Sequence, residues 1–542
     1  MFRSRRSLFR TFLCSALCLL SFVPALACTD VVVGKDASVD GSVMTCHTAD
    51  GAYYDAQIRF IPGQKYPAGT NMDVYRNIVG LDVGEEPGGW VKVGEIPQVA
   101  ETYGYFHVGY PAMNEHRVAI GETTIGQKEA LKTMPGGRAL LAIEQLEVLA
   151  LQRAKTAREA IQVIGELSQK YGFMPSCGTE GECLTITDPD EAWIFHVFST
   201  GFGWTQESGK PGSVWAAQRV PDDEVVVVPN IARIRFIDPK DTKNFIVSDN
   251  YMQHAIDNKL YDPDSGQPFD FQAAYSPATG NDDWALSSLW IRNRLYTIHK
   301  ALAPSREWDP YAPVNAYPFS IKPEKKLSVR DIMGFIRSYH QGSPFDMTMD
   351  PAWIVEGKDG VAELSPLTTP FPTRLQRNLL KIPYSRSIAT NACAYSWVSQ
   401  MRKDLPEPVG GVMWFGYDNP AHTLYVPVYT GTRDTKESWK SHFNRDKLSL
   451  DCAQWAFMLQ DDVVNWRYQE AIKDLEAVRN PIEDDFFKRQ AEVEKQAADL
   501  YKESPEKASE FLTKYTIECM DRAEKAYWDL DFSSIAKYTN NR

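Results

Sequence analysis

The chain divides at Cys28 into two stretches that cannot share one folded core. Met1 to Arg10 carries Arg3, Arg5, Arg6 and Arg10 and no acidic residue, an apolar run follows from Thr11 to Val23, and Pro24-Ala25-Leu26-Ala27 closes the segment. A basic start, a short apolar stretch and an A-x-A ending are the three parts of a secretory leader. The apolar run is shorter than the ~20 residues a membrane-spanning helix needs. Residues 1–27 are therefore expected to be a leader, with a mature chain that begins at Cys28 and is exported to the periplasm or secreted. No later stretch approaches the length of a transmembrane span, so none is expected.

The 542 residues hold 58 Lys and Arg against 71 Asp and Glu, a net charge of −13. A nucleic-acid binder needs a basic face to neutralise phosphates, so that class is excluded. Export changes how cysteine is read. Of nine cysteines, Cys14 and Cys18 leave with the leader, and Cys28, Cys46, Cys177, Cys183, Cys393, Cys452 and Cys519 remain. An odd thiol in an exported chain invites a special role for one of them. Cys177 and Cys183 flank a flexible Gly178-Thr179-Glu180-Gly181-Glu182 loop and could close a disulfide. There is no C-x-x-C and no paired histidine, so no metal and no cofactor is expected.

Along the mature chain, β-branched Asp30 to Val33, a turn at Asp40-Gly41 and Ser42 to Thr45 read as strand, turn, strand. Val118 to Thr124, Cys183 to Thr187, Ala192 to Phe198, Glu224 to Val228, Gly411 to Gly416 and Thr423 to Tyr429 read as further strands. Arg138 to Tyr171 reads as two helices, with Thr156 and Glu159 as a capping box and Gly172 as the C-terminal cap. The segment from Tyr261 to Pro323 reads as long loops around a short helix at Leu289 to Ala301. Beyond Cys452 the apolar residues recur among Glu and Lys as in amphipathic helices. The expected division is a leader over 1–27, a catalytic domain over 28–450 and a helical region over 451–542 packed on it.

G-x-S-x-G, H-E-x-x-H, a phosphate-binding P-loop and G-x-G-x-x-G are all absent. What remains is the position of Cys28. A thiol at a mature N-terminus has its own α-amino group beside it, with a reference pKa of about 7.7–8.0, so the two form a nucleophile and general base without histidine. Two plainer readings stand beside this: an ordinary residue after a cleavage site, or a cysteine that is acylated as a lipid anchor. Ala25-Leu26-Ala27 fits an ordinary signal peptidase better than a lipoprotein box, because the Leu sits one position out.

Cys28 to Asp50 reads C-T-D-V-V-V-G-K-D-A-S-V-D-G-S-V-M-T-C-H-T-A-D. This opening resembles that of the N-terminal-nucleophile (Ntn) cysteine dipeptidases, the family of dipeptidase A and the secernins. Met113-Asn114-Glu115 through Thr124, Gly181 through Trp193 and Ala217 through Asn230 are similar to further motifs of that family, in order. The resemblance implies an α+β fold, specifically a four-layer αββα sandwich with a C-terminal helical extension. It also implies dipeptide cleavage through an acyl-enzyme on Cys28. By the same resemblance Asp50 holds the nucleophile, Asn230 donates to the oxyanion and Arg292 lies over the thiol, with Arg294 as the other candidate for that place. Glu122 and His47 become candidates for substrate binding, Glu122 toward the substrate ammonium.

Two departures stand out. His47 occupies the place of a family arginine three residues before Asp50, and Arg117 replaces a glycine, which matters if that turn needs positive φ. The rivals are an amide acylase of the same architecture, of the bile-salt or penicillin V type, and a lipid-anchored binding protein that is not an enzyme. The expected partner is a small peptide substrate, and a homo-oligomer is compatible with the sequence.

Overall fold

Strands form first where β-branched residues cluster, and the elements that build the core and the site follow in chain order. The computed structural model describes residues 28–51, 54–76, 91–133, 137–175, 180–277, 288–357 and 359–539, so the leader and Cys177 lie outside the described residues. The early strands are β1 (Asp30–Val33), β2 (Val43–Asp50), β3 (Arg59–Ile61), β4 (Tyr105–His107), β5 (Met113–Asn114) and β6 (Ala119–Ile125). Helices α1 (Ile143–Arg153) and α2 (Ala157–Tyr171) come next. After them run β7 (Gly181–Thr187), β8 (Ala192–Ser199), β9 (Ser213–Val220), β10 (Val225–Val228) and β11 (Phe245–Val247). Helices α3 (Leu289–Leu302) and α4 (Val329–Ile336) precede β12 (Cys393–Met401), β13 (Gly411–Tyr417) and β14 (Val426–Tyr429). The chain ends in α5 (Ala453–Val464), α6 (Tyr468–Glu503) and α7 (Pro505–Tyr538). The fold is mixed α+β.

Two antiparallel sheets organise it. The six-stranded sheet runs β10-β1-β2-β12-β13-β14, and the eight-stranded sheet runs β11-β9-β8-β7-β6-β5-β4-β3. Side chains alternate across each strand, so each sheet packs on both faces. Val32, Val43 and Val226 of the first sheet meet Cys183, Ile194 and Ala216 of the second in one apolar cluster. The far face of the eight-stranded sheet, with Ile120, Leu184 and Phe195, is covered by Leu146 and Leu149 of α1 and Ile161 and Ile164 of α2. The far face of the six-stranded sheet, with Val31, Met44 and Trp414, packs with Ile291 and Leu295 of α3, Ile332 of α4, and Phe457, Phe486 and Leu512 of the C-terminal helices.

Local signals and tertiary burial divided the work. Thr156 caps α2 by accepting the Glu159 N–H, and Gly172 ends it at φ 77°. The Glu159 carboxylate accepts from Lys155 N–H, one residue before the cap. Arg117 has φ 66°, so the turn does require a left-handed residue. Its guanidinium donates to the Arg402 and Leu405 carbonyls, which offsets the strain a glycine would avoid. β9 and β12 were not anticipated. All nine residues of β12 are buried, because it is an inner strand covered on both faces, and that removes the alternation by which a strand is recognised. Cys183, expected to bridge to Cys177, is a free thiol buried between the sheets.

Gly121 of β6 leaves no room for a side chain between Thr185 of the neighbouring strand and the six-stranded sheet. A Cβ there would lie 2.7 Å from Thr185 Oγ1 and 3.2 Å from the Cys46 carbonyl oxygen. Gly121→Ala is expected to lower stability by about 1–3 kcal/mol through overpacking. Denaturant unfolding measures it, and an unchanged midpoint would show that the sheets have room to spare.

Candidate active site

Cys28 stands just before β1, which lies between β2 and β10. In the antiparallel register Asp30 faces Val228, so two residues further out Cys28 comes opposite Asn230. Asn230 follows Pro229 and adopts φ 63°, a left-handed conformation that asparagine tolerates better than most residues. The turn therefore carries the Asn230 side chain back beside the start of β1. Thr29 N–H donates to Thr48 Oγ1 at 2.8 Å, which ties the same point to β2.

Arg294 of α3 holds this junction together. One of its terminal nitrogens donates to the Cys28 carbonyl at 2.7 Å, to Thr29 Oγ1 at 2.8 Å and to Asn230 Oδ1 at 2.9 Å. The other donates to the Pro229 carbonyl at 3.0 Å, and Nε donates to the Trp290 carbonyl at 2.9 Å. Guanidinium is a donor only, so it fixes the Asn230 amide with Oδ1 toward Arg294. Asn230 Nδ2 then donates to the Thr124 carbonyl at 2.9 Å and keeps a second N–H. Burial, with Arg386 nearby, pulls the Arg294 guanidinium down to about 9.

Asp50 ends β2 on the other side of the thiol. Its backbone N–H draws the Cys28 thiol pKa down, against the burial that pushes it up. Its side chain is buried, with Oδ2 paired to Arg386 and Oδ1 without a hydrogen-bond partner. Burial pushes this carboxyl up, and Arg386 and Arg294 pull it only part of the way back. From β6 of the other sheet, Glu122 Oε2 comes to 4.0 Å from Cys28 Sγ. Burial and the charges of Glu122 and Asp50 push the thiol well above its ordinary value, so it rests protonated.

A nucleophile candidate at the head of a strand, two buried carboxylates and a clamped asparagine agree with the comparison to known sequences. Residues 27–480 match the profile of peptidase family C69. The chain belongs to that family. Among its relatives, a "Probable dipeptidase" of Salmonella dublin is 25% identical over 438 residues, 78% of this chain and 86% of the relative. "Dipeptidase A" of Lactobacillus helveticus is 24% identical over 434 residues, 78% of this chain and 79% of the relative. "Probable dipeptidase B" of Streptococcus pyogenes serotype M1 is 24% identical over 512 residues, 92% of this chain and 90% of the relative.

Within this C69 peptidase, Cys28, Asp50, Asn230, Glu122 and His47 gather around the head of β1, and Arg292 does not. Two residues along a helix turn through about 200°. Arg292 therefore points away and donates to the Tyr311 carbonyl at 2.9 Å, while Arg294 faces the junction. His47 is buried among the rings of Tyr110, Tyr395 and Trp397. Its Nδ1 lies 3.5 Å from Asp30 Oδ1 and 3.3 Å from the Glu122 backbone nitrogen. Protonated, it donates to Asp30; neutral, it accepts from Glu122. Burial pulls the imidazole down, but the Asp30 and Glu122 carboxylates outweigh that and hold it above its ordinary value. Asp30 is itself pushed up to about 6, chiefly by burial. Arg386 and Asp30 escaped sequence reading. Arg386 sits in an irregular Ser-Arg-Ser stretch, and only the folded chain brings it to Asp50.

Arg294→Ala is expected to cost about 3 kcal/mol or more, because several buried acceptors lose their donor at roughly 1–3 kcal/mol each. Arg292→Ala, which loses the one hydrogen bond to the Tyr311 carbonyl, should cost about 1 kcal/mol. Denaturant midpoints of the two variants test this, and equal losses would contradict the assignment. A second check uses the thiol. Alkylation of Cys28 by iodoacetamide, followed by mass spectrometry, should rise with pH and inflect above the ordinary thiol value of about 8.5. Glu122→Gln removes a negative neighbour and should move that inflection down.

Proposed function

We propose that this peptidase is an exported dipeptidase of the N-terminal-nucleophile type. In this reading removal of residues 1–27 exposes Cys28, and the thiol attacks the peptide carbonyl. The thiol proton passes to the α-amine of Cys28 as the carbon–sulfur bond forms. The oxyanion of the tetrahedral adduct accepts from the second Nδ2–H of Asn230. The α-ammonium then gives its proton to the departing amine as the carbon–nitrogen bond breaks, leaving a thioester on Cys28. Water, deprotonated by the α-amine, attacks the thioester and releases the carboxylate product, and the thiol is restored. The fold reading that goes with this is a four-layer αββα sandwich. It is supported by the packing order of α1 and α2, the eight-stranded sheet, the six-stranded sheet, and then α3, α4 and the C-terminal helices.

One observation carries the reading. Asp50, whose charge bears on the Cys28 thiol, keeps a buried oxygen without a hydrogen-bond partner. Buried acceptors are rarely left unmet, and an α-ammonium created by cleavage before Cys28 supplies the missing donors. The family match that begins at residue 27 is in keeping with such a start. The lipid-anchor alternative fares worse. The Cys28 thiol is only 3% exposed, and its carbonyl and neighbouring amide are already held, so an acyl chain there would have to pack inside the protein.

The test is the mature protein, with its N-terminus read by sequencing and intact mass, assayed on a dipeptide panel. Cys28→Ala should abolish hydrolysis, and one extra residue ahead of Cys28 should reduce it by about 10³-fold or more, since the base is then an amide. Full activity in the extended form would refute the amine as base, and activity in Cys28→Ala would refute the nucleophile.

A further inference from the structure

Past Asn230 the chain carries two arginines that take no part in the chemistry above. Ala232 and Ile234 pack into the apolar cluster between the sheets, and Arg233 and Arg235, which alternate with them, both line a cavity of about 270 Å³. Gln218 of β9 and residues of the stretch 315–319 complete its lining. Arg233 is only 5% exposed. Its guanidinium donates through one terminal nitrogen to the Tyr317 carbonyl at 3.4 Å and to the Pro318 carbonyl, and its Nε is buried with no partner. Both acceptors are neutral. Arg235 differs, because Asp270 Oδ2 accepts from its Nε at 2.8 Å and from a terminal nitrogen at 2.5 Å.

No carboxylate balances Arg233. Among the described residues it makes no ion pair, and the ionisable groups within its electrostatic reach are cations or neutral bases. Burial, with the Arg235 charge, pulls its guanidinium down to about 10. His196, whose Nε2 accepts the Arg233 backbone N–H at 3.3 Å, and His299 are each pulled down to about 3 by burial and by Arg233, so both imidazoles are neutral. A buried cation is ordinarily paired, because the hydration it has lost must be replaced. Here the cavity is where an anion can reach it.

The rest of the lining indicates which anion. A guanidinium presents a planar fork of N–H groups that matches a carboxylate. The side-chain amides of Gln218 and Asn315 can donate to the same group. The Phe319 ring and the Phe236 ring, over which the Arg235 guanidinium sits at 4.8 Å, give the cavity apolar walls. One uncompensated positive charge matches a monoanion.

We propose that this cavity binds a small organic carboxylate, with Arg233 holding the carboxylate group and the aromatic walls holding its apolar body. None of Cys28, Asp50, Glu122 and Asn230 lines the cavity, so the site goes beyond the dipeptidase reading and does not depend on it.

The experiment titrates the purified protein with benzoate, with benzamide as its uncharged counterpart and with inorganic phosphate, at fixed ionic strength, by isothermal calorimetry. Benzoate should bind saturably at one site and about 10-fold or more tightly than benzamide, the difference that hydrogen bonds to a charged group make. Arg233→Met should remove that preference. Since this variant also releases two carbonyls, a second one leaves Arg233 in place. Asn315→Trp alters an exposed residue of the lining and fills the cavity, and it should abolish benzoate binding. Equal binding of benzoate and benzamide, or no binding of either, would overturn the proposal. So would phosphate binding more tightly than benzoate, which would make this a site for tetrahedral oxyanions. Benzoate binding that survives Asn315→Trp would place the ligand elsewhere and overturn it too.

Discussion

A single guanidinium sets the geometry on which the site depends. Arg294 reaches from α3 to the Cys28 carbonyl, the Thr29 hydroxyl, the Asn230 side chain and the Pro229 carbonyl. These groups belong to two neighbouring strand ends, and the first of them is the start of β1. A chain terminus normally frays because little holds it. Here the head of β1 is pinned from three directions: by Arg294, by Thr48 and by the sheet register itself. That pinning holds Cys28 in one place at the head of the strand, as the proposed attack requires, and it also fixes which way the Asn230 amide points.

Electrostatics then gives the site its character. Cys28 lies among Glu122, Asp50 and Asp30, all buried, so the thiol rests protonated. A standing thiolate is therefore disfavoured, and in the proposed mechanism the proton leaves as the bond forms. This suits a weak adjacent base such as an α-amine better than a preformed ion pair. The carboxylates are kept apart in role by their partners. Asp50 is matched to Arg386, and Asp30 to His47 and to Thr123, whose hydroxyl donates to it at 2.5 Å. Glu122 shares His47 with Asp30 and accepts the Thr124 hydroxyl at 3.3 Å.

Much of this was legible beforehand where local chemistry dominates. The run Asp30 to Val33, the Thr156 cap, the Gly172 stop and the strand before Pro229-Asn230 follow from β-branching, capping and turn propensity, all of which act within a few residues. Cys28 stood out for a different reason, since the expected leader boundary marks a position along the chain rather than in space. β12 was not legible, because an inner strand buried on both faces loses its alternation. Nor was the choice between Arg292 and Arg294, because both sit on the same predicted helix and the helix's rotation is set only by the apolar residues it buries, Ile291, Leu295 and Ile298.

The sequence by itself determined the mixed α+β character and the family to which the chain belongs. These depend on composition, short-range propensity and ordered motifs. Only the tertiary structure decided that Arg294 rather than Arg292 clamps the site, that Arg386 pairs with Asp50 and that His47 meets Asp30. Each of those pairings joins residues brought together by sheet register and helix rotation, and no local pattern encodes them. Burial is what gives them force, because a charge removed from water must find its partner wherever the packing of distant elements has put one.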